Sequence, residues 1–160
     1  MNKQARKEFI LSQLIRLEER RKELQAVYLP SEDQEDSQQA IELWLDRYIR
    51  MAESLVSQDS LWLEPNMPIV LIGCSVDVEF LDTEKPQLET YTVCFPDEAD
   101  PASGFISFLS PIGQQLLLAS LNQEVSLMTP DGDMQAVIKN ISIPASFPRH
   151  RARAARKRME

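Results

Sequence analysis

The chain has 160 residues, room for one compact domain of about 90–100 residues and a smaller appendage. Its formal net charge is −8, but residues 149–160, RHRARAARKRME, carry six Lys/Arg and one acid, which leaves −13 on residues 1–148. A body that acidic is repelled by nucleic acid and is a poor duplex-DNA binder on its own. No apolar run approaches the roughly 18 residues that span a membrane, and the N-terminus MNKQARKEFILSQ has no signal-peptide core; a cytoplasmic, membrane-free protein is expected.

Residues 3–28 have a helical pattern. Ile10, Leu14, Leu17, Leu24 and Tyr28 fall at alternating steps of three and four, with Arg21 as a polar intruder. From about 37 to 59 the pattern repeats with Ile41, Leu45, Tyr48, Ala52 and Leu55, widened by Trp44 and Met51 toward the hairpin base or a partner. Stripes this narrow suit a two-helix seam better than a globular core. A short turn near Leu29 and Pro30 folds the pair into an antiparallel hairpin whose base needs anchoring, because three heptads alone are marginal. The connecting sequence holds PSEDQEDSQQ, with acids Glu32, Asp33, Glu35 and Asp36. Ser31 with Gln34, and Asp36 with Gln39, are capping-box spacings, and acids in a first helical turn stabilise it by roughly 0.3–1 kcal/mol each. A capping role alone accounts for these residues.

After Pro65 the period changes from 3.6 to two. IVLIGCSVDVEFL (69–81), QLETYTVCF (87–95), GFISFL (104–109), QEVSLMT (123–129) and MQAVIKNISI (134–143) are strand candidates. TPDGD (129–133) joins the last two as a hairpin, with Gly132 supplying a positive φ. Between them Ser110 is a helix N-cap, Pro111 suits the first helical position, and Ile112, Leu116 and Leu117 give an apolar face. The acids Asp97, Glu98 and Asp100 precede Pro101 and Gly104 and read as a solvated connection. The expected architecture is α+β: a coiled-coil hairpin over 1–60, a mostly antiparallel β domain with one short helix over 61–148, and a basic tail over 149–160 that is solvated or touches RNA or DNA.

Cys74 and Cys94 lie in apolar segments without disulfide or zinc spacing and read as buried thiols. The single histidine, His150, sits in the tail, which excludes Ser-His-Asp and Cys-His nucleophilic sites. With four glycines and no Gly-rich loop there is no phosphate cradle. Carboxylates are the only reagents left, and the dense cluster of them is at the hairpin tip.

The segment ISFLSPIGQQLLLASLNQEVSLMTPDGDMQAVIKNIS resembles the C-terminal domain of Gre-type transcript cleavage factors, the GreA/GreB family. The family reads I-S-x-x-S-P-I-x-x-x-L followed by T-P-x-G; here these are Ile106, Ser107, Ser110, Pro111, Ile112 and Leu116, then Thr129, Pro130 and Gly132. IGCSVDVEFLD and DEADP (97–101) are similar to two further family segments, so the resemblance runs over about 68–143. It implies an FKBP-like C-terminal domain that docks at the rim of the bacterial RNA polymerase secondary channel, with Phe108, Ser110, Pro111 and Ile112 as the contact residues. It also implies a coiled coil that carries tip acids down the channel toward the 3′ end of backtracked RNA. There Glu32 and Glu35 would help hold a Mg²⁺ shared with the polymerase active site, so that polymerase cleaves the RNA. Asp33 and Asp36 have the same spacing and stand as equal candidates. The factor would be an accessory protein and no enzyme by itself, without a cofactor of its own, and a monomer.

The sequence departs from the family in five ways, two of them a tip richer in acids and a basic tail outside the family pattern. The first tip acid is Glu where the family has Asp, Leu118 stands where the family carries glycine, and each arm is shorter by about a turn or more, about 6 Å of reach. A shorter arm also suits a regulator that plugs the channel without stimulating cleavage. Prolyl isomerase activity on an FKBP-like domain is a further reading, weakened because no Trp follows Trp62 to floor such a pocket. A general coiled-coil interaction protein is the remaining one.

Overall fold

A computed structural model describes residues 3–28, 34–59, 66–129 and 132–144, with backbone alone for 25–28 and 34–41. The chain divides between Glu64 and Pro65 into two compact units.

The first unit is helical: α1 (Lys3–Glu19), α2 (Arg21–Tyr28) and α3 (Gln34–Val56). Only residues 29–33 separate α2 from α3, and Arg21 reaches both Glu42 and Asp46, so the two arms run antiparallel. Ile10, Leu14, Leu17 and Leu24 of the first arm are buried, as are Leu45, Tyr48 and Ala52 of the second, which is the expected seam. Ile49 and Val56 join it, while Leu55 is half-exposed. The side chains of Tyr28 and Ile41 lie outside the described residues.

The first arm is two helices where the periodicity predicts one. The step falls at Arg20, whose N–H still donates to Arg16 O at 3.0 Å while Leu24 N–H donates to Arg20 O at 2.9 Å. A guanidinium in an apolar seam needs a partner, and Arg21 finds it across the hairpin in Asp46 and in the Glu42 carbonyl at 3.2 Å. The widening residues behave differently from each other: Trp44 stacks on Tyr48 with centroids 5.9 Å apart, and Met51 is exposed.

The second unit holds β1 (Ser75–Phe80), β2 (Gln87–Cys94), β3 (Phe105–Ser107), α4 (Pro111–Leu116), β4 (Glu124–Thr129) and β5 (Gly132–Ser142). The strands form one sheet in the order β3-β2-β1-β5-β4. Every pairing is antiparallel except β2 with β3, so the expected mostly antiparallel sheet with one short helix is present. Period-two alternation sorts its faces. Val76, Val78 and Phe80 are buried with Val93, Leu127, Ala136, Ile138 and Ile141. The opposite face is polar, with Thr90 Oγ1 donating to Asp77 Oδ1 at 2.7 Å and Lys139 3.7 Å from Glu79. Edge strand β4 is blunted by α4, for Met128 N–H donates to Gln115 Oε1 at 3.0 Å.

Two sequence expectations need correction here. The strand expected over 69–81 is confined to 75–80. Residues 70–74 are a buried turn, with Val70, Leu71, Ile72 and Cys74 in the core. That turn is tolerated because its backbone is paired elsewhere: Val70 N to Ala119 O at 3.0 Å, Leu118 N to Val70 O at 2.8 Å, Gly73 N to Val93 O at 2.8 Å. The DEADP connection is solvated as expected at Asp97 and Asp100 but not at Glu98. It forms two 3₁₀ turns, Pro96–Glu98 and Pro101–Ser103, and Glu98 is buried. Asp100 pins them, its carbonyl accepting from Ser103 N and Phe105 N and its carboxylate from Ser103 Oγ at 2.9 Å.

Leu118 has φ 67°. It follows Leu117, the C-cap of α4, and takes the left-handed conformation that usually ends a helix on glycine, which explains why the family has glycine there. Replacing it by glycine relieves about 1–2 kcal/mol of steric cost. It also adds about 0.5–1 kcal/mol of backbone entropy cost and removes a half-buried side chain. Leu118→Gly should therefore fall within about 1 kcal/mol of neutral in urea denaturation, where truncating a core Leu costs about 2–5. A loss in that larger range would show that the side chain, and not the turn, sets the balance.

Both cysteines are buried thiols outside any disulfide, as expected, and burial pushes the Cys74 thiol up to about 12. Among the described residues no helix is long and apolar enough to cross a membrane.

Candidate functional site

Two sets of residues carry the functional expectation, one in each unit. At the hairpin tip, Glu32 and Asp33 lie outside the described residues, as does Ser31. Glu35 and Asp36 are the second and third residues of α3. Asp36 is thus inside the helix and cannot be the N-cap that its spacing with Gln39 suggests. The helix begins earlier than the apolar stripe does, because Gln34 and Glu35 are good helix formers that need no buried face. Both acids fall in the first turn of α3, a position at which acidic residues suit a helix. Among the described residues no group of three or more His, Cys, Asp or Glu could hold a metal. For the tip the donor set itself is informative: four carboxylates offer the hard oxygens that Mg²⁺ takes, and too few of them for a closed cage.

The second set lies where β3 runs into α4. Ser110 caps α4, its Oγ accepting from Gly113 N at 3.1 Å and donating to Ser107 O at 2.7 Å. Pro111 is exposed and Ile112 half-exposed, so both offer apolar surface. Phe108 does not. It is 0% exposed and packs edge-on to Phe95, centroids 5.2 Å apart. It follows β3 directly and is buried like Ile106 two residues before it, so it supports the surface from beneath and is no contact residue. Free N–H groups are fewer than the helix start promises, since Pro111 has none and Gly113 gives its own to Ser110.

The structure joins these residues to the DEADP turns, which pack against β3. Asp97, Asp100 and Pro101 are exposed, as is Pro111, and both the turns and α4 pack against β3. Gly113 makes the arrangement possible. A Cβ there would sit 2.0 Å from Ser107 O and 3.0 Å from Phe108 Cα, so only glycine lets α4 lie this close to the end of β3. The sequence carried that signal in the SPIG run, but helical periodicity cannot show it. It also gave no hint of Glu89, whose register opposite Val78 puts it on the core-side face of the sheet. Next to it the Tyr91 phenol is raised, first by burial and then by the Glu89 charge.

The family model described as "Transcription elongation factor, GreA/GreB, C-term" matches residues 64–143. The chain is 44% identical over 77 residues to "Transcription elongation factor GreA" of Desulfovibrio desulfuricans, covering 48% of this chain and 46% of that protein. It is 38% identical over 72 residues to the Bacillus subtilis protein of the same name, covering 45% and 46%. The chain spans about half the length of the curated relatives it matches. Among solved structures, a prokaryotic transcription elongation factor GreA/GreB from Nitrosomonas europaea superposes with a TM-score of 0.52 at 18% identity, over 81% of this chain and 93% of that one. That is a likeness of fold, and it extends beyond the segment where the sequences align. From the matched half, with its SPI cap, its DEADP turns and its mixed sheet, the chain belongs to the GreA/GreB family.

Proposed function

We propose that this protein is a Gre-type elongation factor that binds bacterial RNA polymerase at its secondary channel and stimulates intrinsic cleavage of backtracked RNA. The observation that carries the reading is a family C-terminal domain preceded by an antiparallel helical hairpin with acids at its tip. The surface of Asp97, Asp100, Pro101, Pro111 and Ile112 is the docking face. Apolar surface at Pro111 and Ile112 together with nearby polar groups would suit a specific contact on a larger partner.

The hairpin delivers the tip, and the tip supplies carboxylates. Glu32 and Glu35, or Asp33 and Asp36, would hold the Mg²⁺ together with groups of the polymerase. Bound there beside the polymerase's own ion, it would help stabilise the entering and leaving oxygens of the scissile phosphate. The tip acids orient and retain, while bond cleavage belongs to polymerase, so the factor is accessory. The shortened arm favours a second reading, in which the protein docks and obstructs the channel without stimulating cleavage. Placement errors of about 1 Å cost about 10²-fold in such chemistry, so arm length decides between the two.

Docking is expected to reside in the second unit. The full chain should co-purify with bacterial RNA polymerase, and residues 61–148 alone should compete with it. Ile112→Asp in the full chain should weaken retention at least tenfold with the circular-dichroism spectrum unchanged. Undiminished retention of that variant, or no competition by the fragment, would remove the docking face from this account.

A further inference from the structure

The core-side face of the sheet extends past α4. Beyond the helix it opens into a groove of about 580 Å³ at the end where β1 finishes and β5 begins. Phe80, Tyr91 and Met134 line it with apolar surface, and Asp82, Glu89 and Asp133 are also among its lining residues, with no Lys or Arg. None of the three acids forms an ion pair among the described residues. Asp82 accepts a hydrogen bond from Gln135 N at 2.8 Å, which fixes one wall. An aromatic and aliphatic floor under acidic walls suits guanidinium groups, which stack on apolar planes and pair with carboxylates at once.

We infer that this groove is the docking site of the chain's own basic segment, residues 149–160. The segment matches the groove in charge, with Arg149, Arg151, Arg153, Arg156, Lys157 and Arg158 against one acid, and small alanines between the cations let it lie close. It also reaches. From Ser142 back to Met134 is about 26 Å along the strand at 3.3 Å per residue, and an extended chain from 143 to 153 spans about 35 Å. The tether keeps the segment at an effective concentration on the order of millimolar, so a weak contact is enough to populate the docked state. Docking is an exchange of partners: the segment in the groove is withheld from nucleic acid, and the acidic walls are neutralised.

The test uses the full chain. Ala155→Cys gives a single reactive thiol for a nitroxide label, because Cys74 and Cys94 are buried. In a ¹⁵N-labelled sample at low salt the amides of Tyr91, Asp133 and Met134 should lose most of their intensity to the label. The loss should disappear at 1 M salt, where screening is about 3 Å, and in the variant Asp82→Asn/Glu89→Gln/Asp133→Asn. Full intensity at the groove amides under low salt overturns the inference. So does broadening that survives the triple substitution, or broadening passed to a ¹⁵N copy from a separate labelled ¹⁴N copy, which would make the contact intermolecular.

Discussion

Converting Glu32, Asp33, Glu35 and Asp36 together to their amides should abolish stimulated RNA cleavage while polymerase binding persists. The two effects separate because the tip and the docking face lie in different units of the chain. As helix-start residues the four acids are worth at most about 1–2 kcal/mol of hairpin stability. That loss would lower the melting temperature slightly and leave a merely structural tip functional. As Mg²⁺ ligands they are indispensable, since an amide oxygen carries no charge to hold the ion. Of the pairs, Glu32 and Glu35 should account for most of the loss. Transcript cleavage and polymerase retention, measured on the same preparations, give the answer. Unchanged cleavage would return the acids to a capping role.

Gly113→Ala should be the most damaging single methyl in the second unit. The added Cβ meets the Ser107 carbonyl oxygen at 2.0 Å, and a backbone atom cannot rotate away as a side chain can. Overpacking of this kind costs about 3 kcal/mol or more, a fall in melting temperature on the order of 10–20 °C for a unit of this size. Because α4 must move off β3, Pro111 and Ile112 shift with it and polymerase retention should weaken too. Thermal unfolding by circular dichroism checks the first part. A melting temperature within about 2 °C of the parent would mean the contact relaxes at no cost, and α4 would then not be fixed by Gly113.

What the sequence made legible follows from the range of each signal. The seam of Ile10, Leu14, Leu17 and Leu24 and the strand Val76-Val78-Phe80 are local periodicities, and a periodic pattern in a continuous segment survives folding. The helical step at Arg20 was not legible, because Arg21's partners lie more than twenty residues away in α3. Residues 69–74 misled for the opposite reason: they are apolar enough for a strand, yet their hydrogen bonds go to Ala119, Leu118 and Val93 instead of a ladder. Glu98 looked solvated because a carboxylate usually is; its burial depends on two prolines folding the run into 3₁₀ turns.

The site divides along the same line. Ser110 and Pro111 announced the start of α4 correctly, since capping is decided within four residues. Phe108 was misjudged as a contact residue because β3 is three residues long, too short for its alternation to be read with its ends unknown. The groove under Glu89 is assembled from β1, β2, β4 and β5, and no single stretch of sequence contains it. Leu118 is intermediate: its departure from the family's glycine was visible, but its meaning required the positive φ.

The measurement that bears most directly on the central claim is transcript cleavage in a stalled, backtracked RNA polymerase complex with 3′-labelled RNA, with and without the purified full chain. Short labelled 3′ fragments should appear faster when the protein is present, and polymerase should re-extend the 5′ remnant. No change in the RNA, together with no retention of the protein on polymerase, would contradict that claim.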